Sequence, residues 1–219
     1  MRLRLGIRDT LHGMRNPGPG RASRRALLAA VLLLPAAPVL AQAGASGVVE
    51  TLHAALIGVM RDARRLGVRG RLDRLRPVMQ LAFDLPAMTR IAVGPAWSGI
   101  APDQQAALVA AFSDWTIATY ANRFDGYSGE SFATTGESTL ANGDHLVRTV
   151  LNRVNNAPVQ LNYLLRQGQG AWRIVDIYLT GTISELASRR AEFATLLREG
   201  GAERLTAELR RRATDLLRA

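Results

Sequence analysis

The 219-residue chain contains no cysteine, which excludes disulfide bonds and thiolate-held metals. It contains no lysine either, so all 28 of its basic residues are arginine. Aromatic residues make up only 5% of the chain while hydrophobic residues reach 47%, so aliphatic side chains must supply most of the buried area. Histidine is equally scarce. Beyond residue 43 only His53 and His145 remain, far apart and with no carboxylate at zinc-site spacing, so no metal site is expected. No G-x-S-x-G, Walker or G-x-G-x-x-G pattern is present. Ser113-Asp114 and Ser184-Glu185 read as helix-surface or capping pairs, not as parts of a triad. The absences point away from an enzyme and away from a bound cofactor.

The net charge of +10 is unevenly placed. The stretch "SRRALLAAVLLLPAAPVLAQA" has a basic start, an apolar run from Ala26 to Leu40, and the small-x-small end Ala41-Gln42-Ala43. That is the layout of a signal peptide cleaved after Ala43. Pro35 and Pro38 interrupt the apolar run, which is also short for a membrane span. Seven arginines and Asp9 fall within residues 1–43, so +6 belongs to this segment and +4 to residues 44–219. Most of the basic charge therefore serves export, and nucleic acid is a poor partner. Ser23-Arg24-Arg25-Ala26-Leu27-Leu28 suits the twin-arginine route as well as the general secretory one. Met14 is an alternative start. The expected organisation is a signal peptide over 1–43 and one monomeric domain over 44–219.

From Val48 to Leu66 apolar residues recur at helical spacing, and Gly67 and Gly70 break the pattern. "RLDRLRPVMQLAF" is a second helical stretch with a kink or restart expected at Pro77. "DLPAMTRIAVG" reads as a short helix opened by Asp84, with Pro86 in its first turn and Gly94 at its end. "APDQQAALVAAFSDWTIATYANRF" is the longest helix and buries Leu108, Phe112, Trp115, Ile117 or Thr119, and Tyr120. After Gly126 the period changes to two. Gly129 to Glu137 is a weak strand; the next puts Val147, Thr149 and Leu151 on one face. After a turn at Asn155-Asn156, Val159, Leu161, Tyr163 and Leu165 alternate with Gln160, Asn162 and Arg166. "AWRIVDIYLT" is the fourth strand. Helices over Ile183 to Arg198 and Ala202 to Leu217, parted by Gly200-Gly201, close the chain. The fold class is α+β: N-terminal helices, a curved antiparallel sheet of about four strands, then C-terminal helices.

Two features invite a functional reading. Asp176 alternates with Trp172, Ile174 and Tyr178, so it is expected on their apolar face, where a carboxylate needs a partner or a raised pKa. It is either a general base, as in ketosteroid isomerases, or a structural group in an ion pair or helix cap, with Arg190 or Arg90 as the partner. Seven arginines (Arg61, Arg64, Arg65, Arg69, Arg71, Arg74 and Arg76) crowd residues 61–76 against Asp62 and Asp73. They form either a solvated face or a patch for anionic headgroups, worth about 1 kcal/mol per charge near a membrane.

"FDLPAMTRIAVGPAW", "PDQQAALVAAFSDWTIATYANRFDGYSGE", "VQLNYLLRQGQGAWRIVDIYLTGTISELASRRAEF" and "LLREGGAERLTAEL" together resemble the MlaC family, also called the toluene-tolerance or Ttg2 auxiliary family. "FDGYSGE" and "GTISELASRRAEF" resemble its hopanoid-associated branch, HpnM. The resemblance runs over residues 48–215. It implies a periplasmic lipid carrier that moves phospholipid, or hopanoid, between an inner-membrane ABC transporter with its substrate-binding membrane protein and an outer-membrane lipoprotein complex. It also implies an apolar cavity between sheet and helices. The lipid-contacting candidates are Val147, Leu151, Val159, Leu161, Tyr163 and Leu165 on the strands, Met88, Ile91, Phe112 and Trp115 on the helices, and Thr182 at the rim. Arg190 matches the family's R-x-x-F position with Phe193. Spacing from Ile183 through Leu186, Ala187, Ala194 and Leu197 puts Arg190 on the apolar side, to pair with Asp176 or meet a phosphate at the opening. Burial of an acyl chain is worth about 0.8 kcal/mol per methylene, so two ordinary chains resist water by roughly 20 kcal/mol. A carrier must therefore enclose them. The runner-up function is a small-molecule isomerase using Asp176.

Export itself is testable by N-terminal sequencing. Protein recovered from the periplasm should begin near Gly44; an intact Met1 in the membrane fraction would contradict the signal-peptide assignment.

Overall fold

The computed structural model describes residues 44–218; the expected signal peptide lies outside them. The described part opens with helix α1 (Ala45–Arg61) and passes directly into α2 (Ala63–Ala82). Within α2 the break comes at Gly67, whose φ of 60° and ψ of 179° leave the helical region, while Pro77 sits inside the helix without breaking it. The break expected at Gly67 is present, at a residue with no Cβ to oppose positive φ, and the kink expected at Pro77 is absent.

Helix α3 (Leu85–Val93) opens where Asp84 accepts a hydrogen bond from the Ala87 amide at 3.0 Å, with Pro86 in the first turn and Gly94 at the C-cap. This is the start and stop chemistry expected from the sequence. A 3₁₀ turn over Gly94–Gly99 leads into α4 (Pro102–Arg123), which buries Leu108, Ala111, Phe112, Ile117, Ala118 and Ala121.

The sheet follows: β1 (Ser131–Thr139), β2 (His145–Arg153), β3 (Asn156–Gly168), β4 (Ala171–Leu179) and the two-residue β5 (Ile183–Ser184), antiparallel and in chain order. Five strands replace the expected four, because the first residues assigned to the C-terminal helix extend to pair Ile183 with Leu179 and Ser184 with Tyr178. Asn155, with φ of 60°, makes the β2–β3 turn. Helix α5 (Glu185–Leu216) then runs to the end of the domain and bends sharply at Gly200 and Gly201. The non-helical backbone of this glycine pair parts the segment into the two helices expected from the sequence.

One face of the sheet carries Val147, Tyr163, Leu165, Ile174 and Ile177 into a core shared with all five helices. Two links tie the layers together. The Asp84 amide donates to the Ile174 carbonyl at 2.9 Å, joining α3 to β4. His53 of α1 lies 3.0 Å from the Tyr163 hydroxyl of β3 through Nε2, its ring stacked 3.9 Å from Phe132 of β1.

Burial holds the His53 imidazole neutral, lowering its pKa from 6.5 to about 4. Between these values the unfolded chain binds a proton that the native state refuses, so the stabilisation is complete above pH 6.5 and is lost as pH falls toward 4. The loss should total about 3 kcal/mol, measured by urea unfolding at a series of pH values. His53→Gln, which keeps a hydrogen-bonding group but does not titrate, should remove that part of the slope; an unchanged slope would show that His53 is not its source.

Candidate functional site

A cavity of about 540 Å³ lies between the sheet, α4 and the start of α5. Leu151, Val159, Leu161, Tyr163, Ile177 and Leu179 form its sheet wall, and Phe112, Trp115, Thr116, Thr119 and Tyr120 form the wall from α4. Met60 of α1, Met88 of α3 and Leu186 of α5 complete the apolar lining.

The sheet wall follows from register. Residues facing each other across antiparallel strands point to the same side. Leu151 stands opposite Val159, Leu161 opposite Leu179, and Tyr163 opposite Ile177, so apolar side chains from three strands share one surface. On β3 the period-two reading from the sequence carries over intact. On β4 it does not. The pairing shifts between Leu164 and Leu165, so that Leu164 faces Asp176 but Leu165 faces Ile174. Val175 is the extra residue of a β-bulge, and a bulge reverses the alternation beyond it. Trp172 and Ile174 therefore share a side with Ile177 and Leu179, whereas Asp176 and Tyr178 are on the other side with Leu164 and Asn162.

This corrects the expectation for Asp176. It does not line the cavity, where a general base acting on a bound molecule would have to sit. Its buried carboxylate accepts from the Ile177 amide at 2.8 Å, the Ser184 hydroxyl at 2.6 Å and the Leu186 amide at 3.5 Å. Ser184 in turn accepts from the Ala187 amide at 3.0 Å, capping α5. Of the structural alternatives, the helix cap is the one realised; neither Arg190 nor Arg90 pairs with Asp176. Arg190 is exposed and donates to the Ile91 carbonyl at 3.0 Å. The buried side of α5 runs through Leu186 and Phe193; spacings of three and four from these admit both Arg189 and Arg190, and in the structure Arg189 is the one that reaches the cavity lining.

Of the other candidates, Leu151, Val159, Leu161, Tyr163, Met88, Phe112 and Trp115 meet at the cavity. Val147 and Leu165 face the same side of the sheet but are sealed in the core. Ile91 packs against the core from outside it, and Thr182 lies in the exposed turn before β5. The sequence reading did not include Met60, Tyr120, Ile177, Leu179, Leu186 or Arg189. Ile177 and Leu179 were hidden by the bulge. Tyr120 and Leu186 had a usable signal, Tyr120 as a residue that the α4 pattern assigns to the buried side and Leu186 as the residue one turn before Arg190 on a periodic helix.

The sheet and helix walls named above carry no charge at neutral pH. Burial raises the phenols of Tyr120 and Tyr163 above their usual range and keeps His53 neutral. Charges gather at the mouth instead: Arg123, Arg153 and Arg189 with Asp125, Glu130 and Glu185. Among the described residues, no three His, Asp or Glu side chains converge to hold a metal ion. A dry apolar chamber with a polar rim can enclose an apolar molecule and leave its polar end at the surface.

The arginine run of 61–76 does not form one patch. Arg71 is buried and donates to the carbonyls of Ala121 at 2.7 Å and Ala63 at 3.2 Å, tying α2 to α4. Arg65 and Arg74 both bind Asp62, at 2.8 and 2.7 Å, and Arg76 binds Asp114 at 2.7 Å. Arg61 lies 5.0 Å over the Tyr127 ring.

Comparison with known proteins agrees with this architecture. The model of the MlaC protein family matches residues 50–211. Among solved structures, a phospholipid-binding protein from Ralstonia solanacearum, determined in complex with a phospholipid, superposes with a TM-score of 0.70. The alignment covers 80% of this chain and 99% of that one at 24% sequence identity, and establishes a shared fold.

Asp176 and Arg190 should act independently on stability. Asp176→Ala leaves two amides and a hydroxyl short of their acceptor and should cost about 1–3 kcal/mol, whereas Arg190→Ala removes one exposed hydrogen bond and should cost about 1 kcal/mol or less. In a double-mutant cycle followed by chemical denaturation, the coupling should stay within about 0.5 kcal/mol of zero. A coupling of several kcal/mol would restore the ion pair.

Proposed function

This chain belongs to the MlaC family, and on that premise we propose that it is a periplasmic lipid carrier with phospholipid as its cargo. The observation that carries the reading is the cavity: partly open, walled by aliphatic and aromatic side chains and rimmed by charge. The phospholipid-bound Ralstonia protein of the same fold supports it. A lining dominated by apolar side chains suits the carriage of a lipid. Acyl chains would lie between the Leu161–Leu179 wall and α4, with the polar end toward the mouth. As in the resemblance noted from the sequence, the carrier would pass lipid between an inner-membrane ABC transporter and an outer-membrane lipoprotein complex.

The physical demand on such a carrier is severe. At about 0.8 kcal/mol per methylene, even a few uncovered carbons would make release into water competitive with transfer. Val159, Leu161, Ile177 and Leu179 meet that demand without reactive groups.

Mass spectrometry of the natively purified protein should find about one phospholipid per chain in a site of this size. Leu161→Asp places a charge against the bound chains and should lower retained lipid roughly tenfold or more while the far-ultraviolet circular dichroism remains native. Hopanoid in place of phospholipid would change the cargo but keep the site. Wild-type protein that carries no lipid, and takes none from vesicles, would refute the carrier reading.

A further inference from the structure

A second recess, more open and of about 460 Å³, adjoins the cavity between α4 and the C-terminal part of α5. Trp115, Thr119, Arg123 and Arg189 face both spaces. Across this shared wall the chemistry changes. The cavity side is apolar, while the recess adds Asn122, Arg212 and Asp215, giving three guanidinium groups against one carboxylate.

Two of these charges are already committed. Arg212 binds Glu192 and, at 2.7 Å, Glu208. Asp215 accepts from Arg211 at 2.6 Å. The other two retain donors. Arg189 has Glu185 at 3.7 Å and Glu192 at 4.0 Å, well beyond the roughly 2.7–2.9 Å of a charge-assisted hydrogen bond. Its guanidinium is steadied instead by the Trp115 ring, 5.2 Å beneath it. Arg123, in the last turn of α4, forms no ion pair among the described residues.

An anion entering at the mouth would meet different surroundings on its two sides. Beside the cavity, Asp125, Glu130 and Glu185 match the arginines in number. Arg153, on that side, is held to the Ala157 carbonyl through Nε and Nη2. Only toward the recess do cations outnumber carboxylates, and there the uncommitted guanidinium groups stand at the border between apolar and polar space. Planar forks of this kind suit the oxygens of a phosphate.

We propose that Arg123 and Arg189 together bind the phosphate of the carried lipid, so that its headgroup turns into the recess between α4 and α5. The inference rests on the lipid-carrier reading and specifies which part of the rim selects the cargo. Lipids with a phosphodiester would be held over lipids of equal chain length that lack one.

The test compares uptake of phosphatidylglycerol and of diacylglycerol with identical chains, from mixed vesicles, by delipidated full-length protein. Wild type should favour the phospholipid. In Arg123→Gln and Arg189→Gln the phospholipid-to-diacylglycerol ratio should fall severalfold, and in the double variant about tenfold or more, as expected for lost hydrogen bonds to a charged group. Arg198→Gln, outside both spaces, should keep the wild-type ratio. A ratio unchanged in the double variant, whether total uptake holds or falls, would overturn the headgroup site while leaving the carrier reading intact. Uptake of neither lipid by wild type would overturn both. Titration with inorganic phosphate separates the remaining source: phosphate binding that needs both arginines, with an unchanged lipid ratio, would make this a free-anion site and end the proposal.

Discussion

The antiparallel pairing of β3 with β4 sets Leu161 against Leu179 and Tyr163 against Ile177, and the cavity wall exists because that register holds. The register depends on a single additional residue. Without Val175 in its bulge, the alternation that places Trp172 and Ile174 on the core side would turn Asp176 and Tyr178 inward and Ile177 and Leu179 outward. A carboxylate would then stand in the chamber, and the N-terminus of α5 would lose its cap. The bulge thus solves two problems at once. It keeps an anion out of the apolar space and delivers that anion to the amides that need it.

The same division between neutral interior and charged border recurs elsewhere. Polar groups that do enter the core are satisfied locally: His53 by Tyr163, Arg71 by two carbonyls, Thr89 by the Leu85 carbonyl at 2.7 Å. None of them directs an unpaired charge into the cavity. Such full satisfaction matters more than the modest worth of each bond, because an orphaned polar group in an apolar chamber is expensive. Acidic and basic side chains are left to the rim, where α4 ends and α5 begins.

Much of this was legible in the residues. Strand β3 reads correctly because one face is buried and the other is wet, so its alternation is undisturbed. The cap at Asp84 reads correctly because capping is local chemistry. The errors lie where tertiary geometry overrides local pattern. The bulge leaves no mark in "AWRIVDIYL", whose two phases are both apolar until the partner strand chooses between them. Arg189 and Arg190 are adjacent and chemically identical, so only the direction of the helix separates a cavity residue from a surface one. Arg71 looks like its six neighbours in the arginine run, yet its burial depends on carbonyls that α4 and the start of α2 bring to it. Ile183 and Ser184 continue a helical pattern but are drawn into the sheet by Tyr178 and Leu179.

The sheet order, β1 to β5 in sequence, also shapes how the chain finds its structure. Every strand pairs with its immediate predecessor, so each step closes a short hairpin and the entropic cost of loop closure stays small. The meander can assemble by successive zippering. The N-terminal helices are the exception. Helix α1 must dock on β1, β2 and β4, all of them formed by residues at least 70 positions later, and the His53–Tyr163 contact spans 110. Helices α2 and α3 likewise pack on β4, and α3 on α5. Contact order therefore concentrates in the docking of these helices. Folding speed becomes a question of how soon they reach a sheet that is already complete.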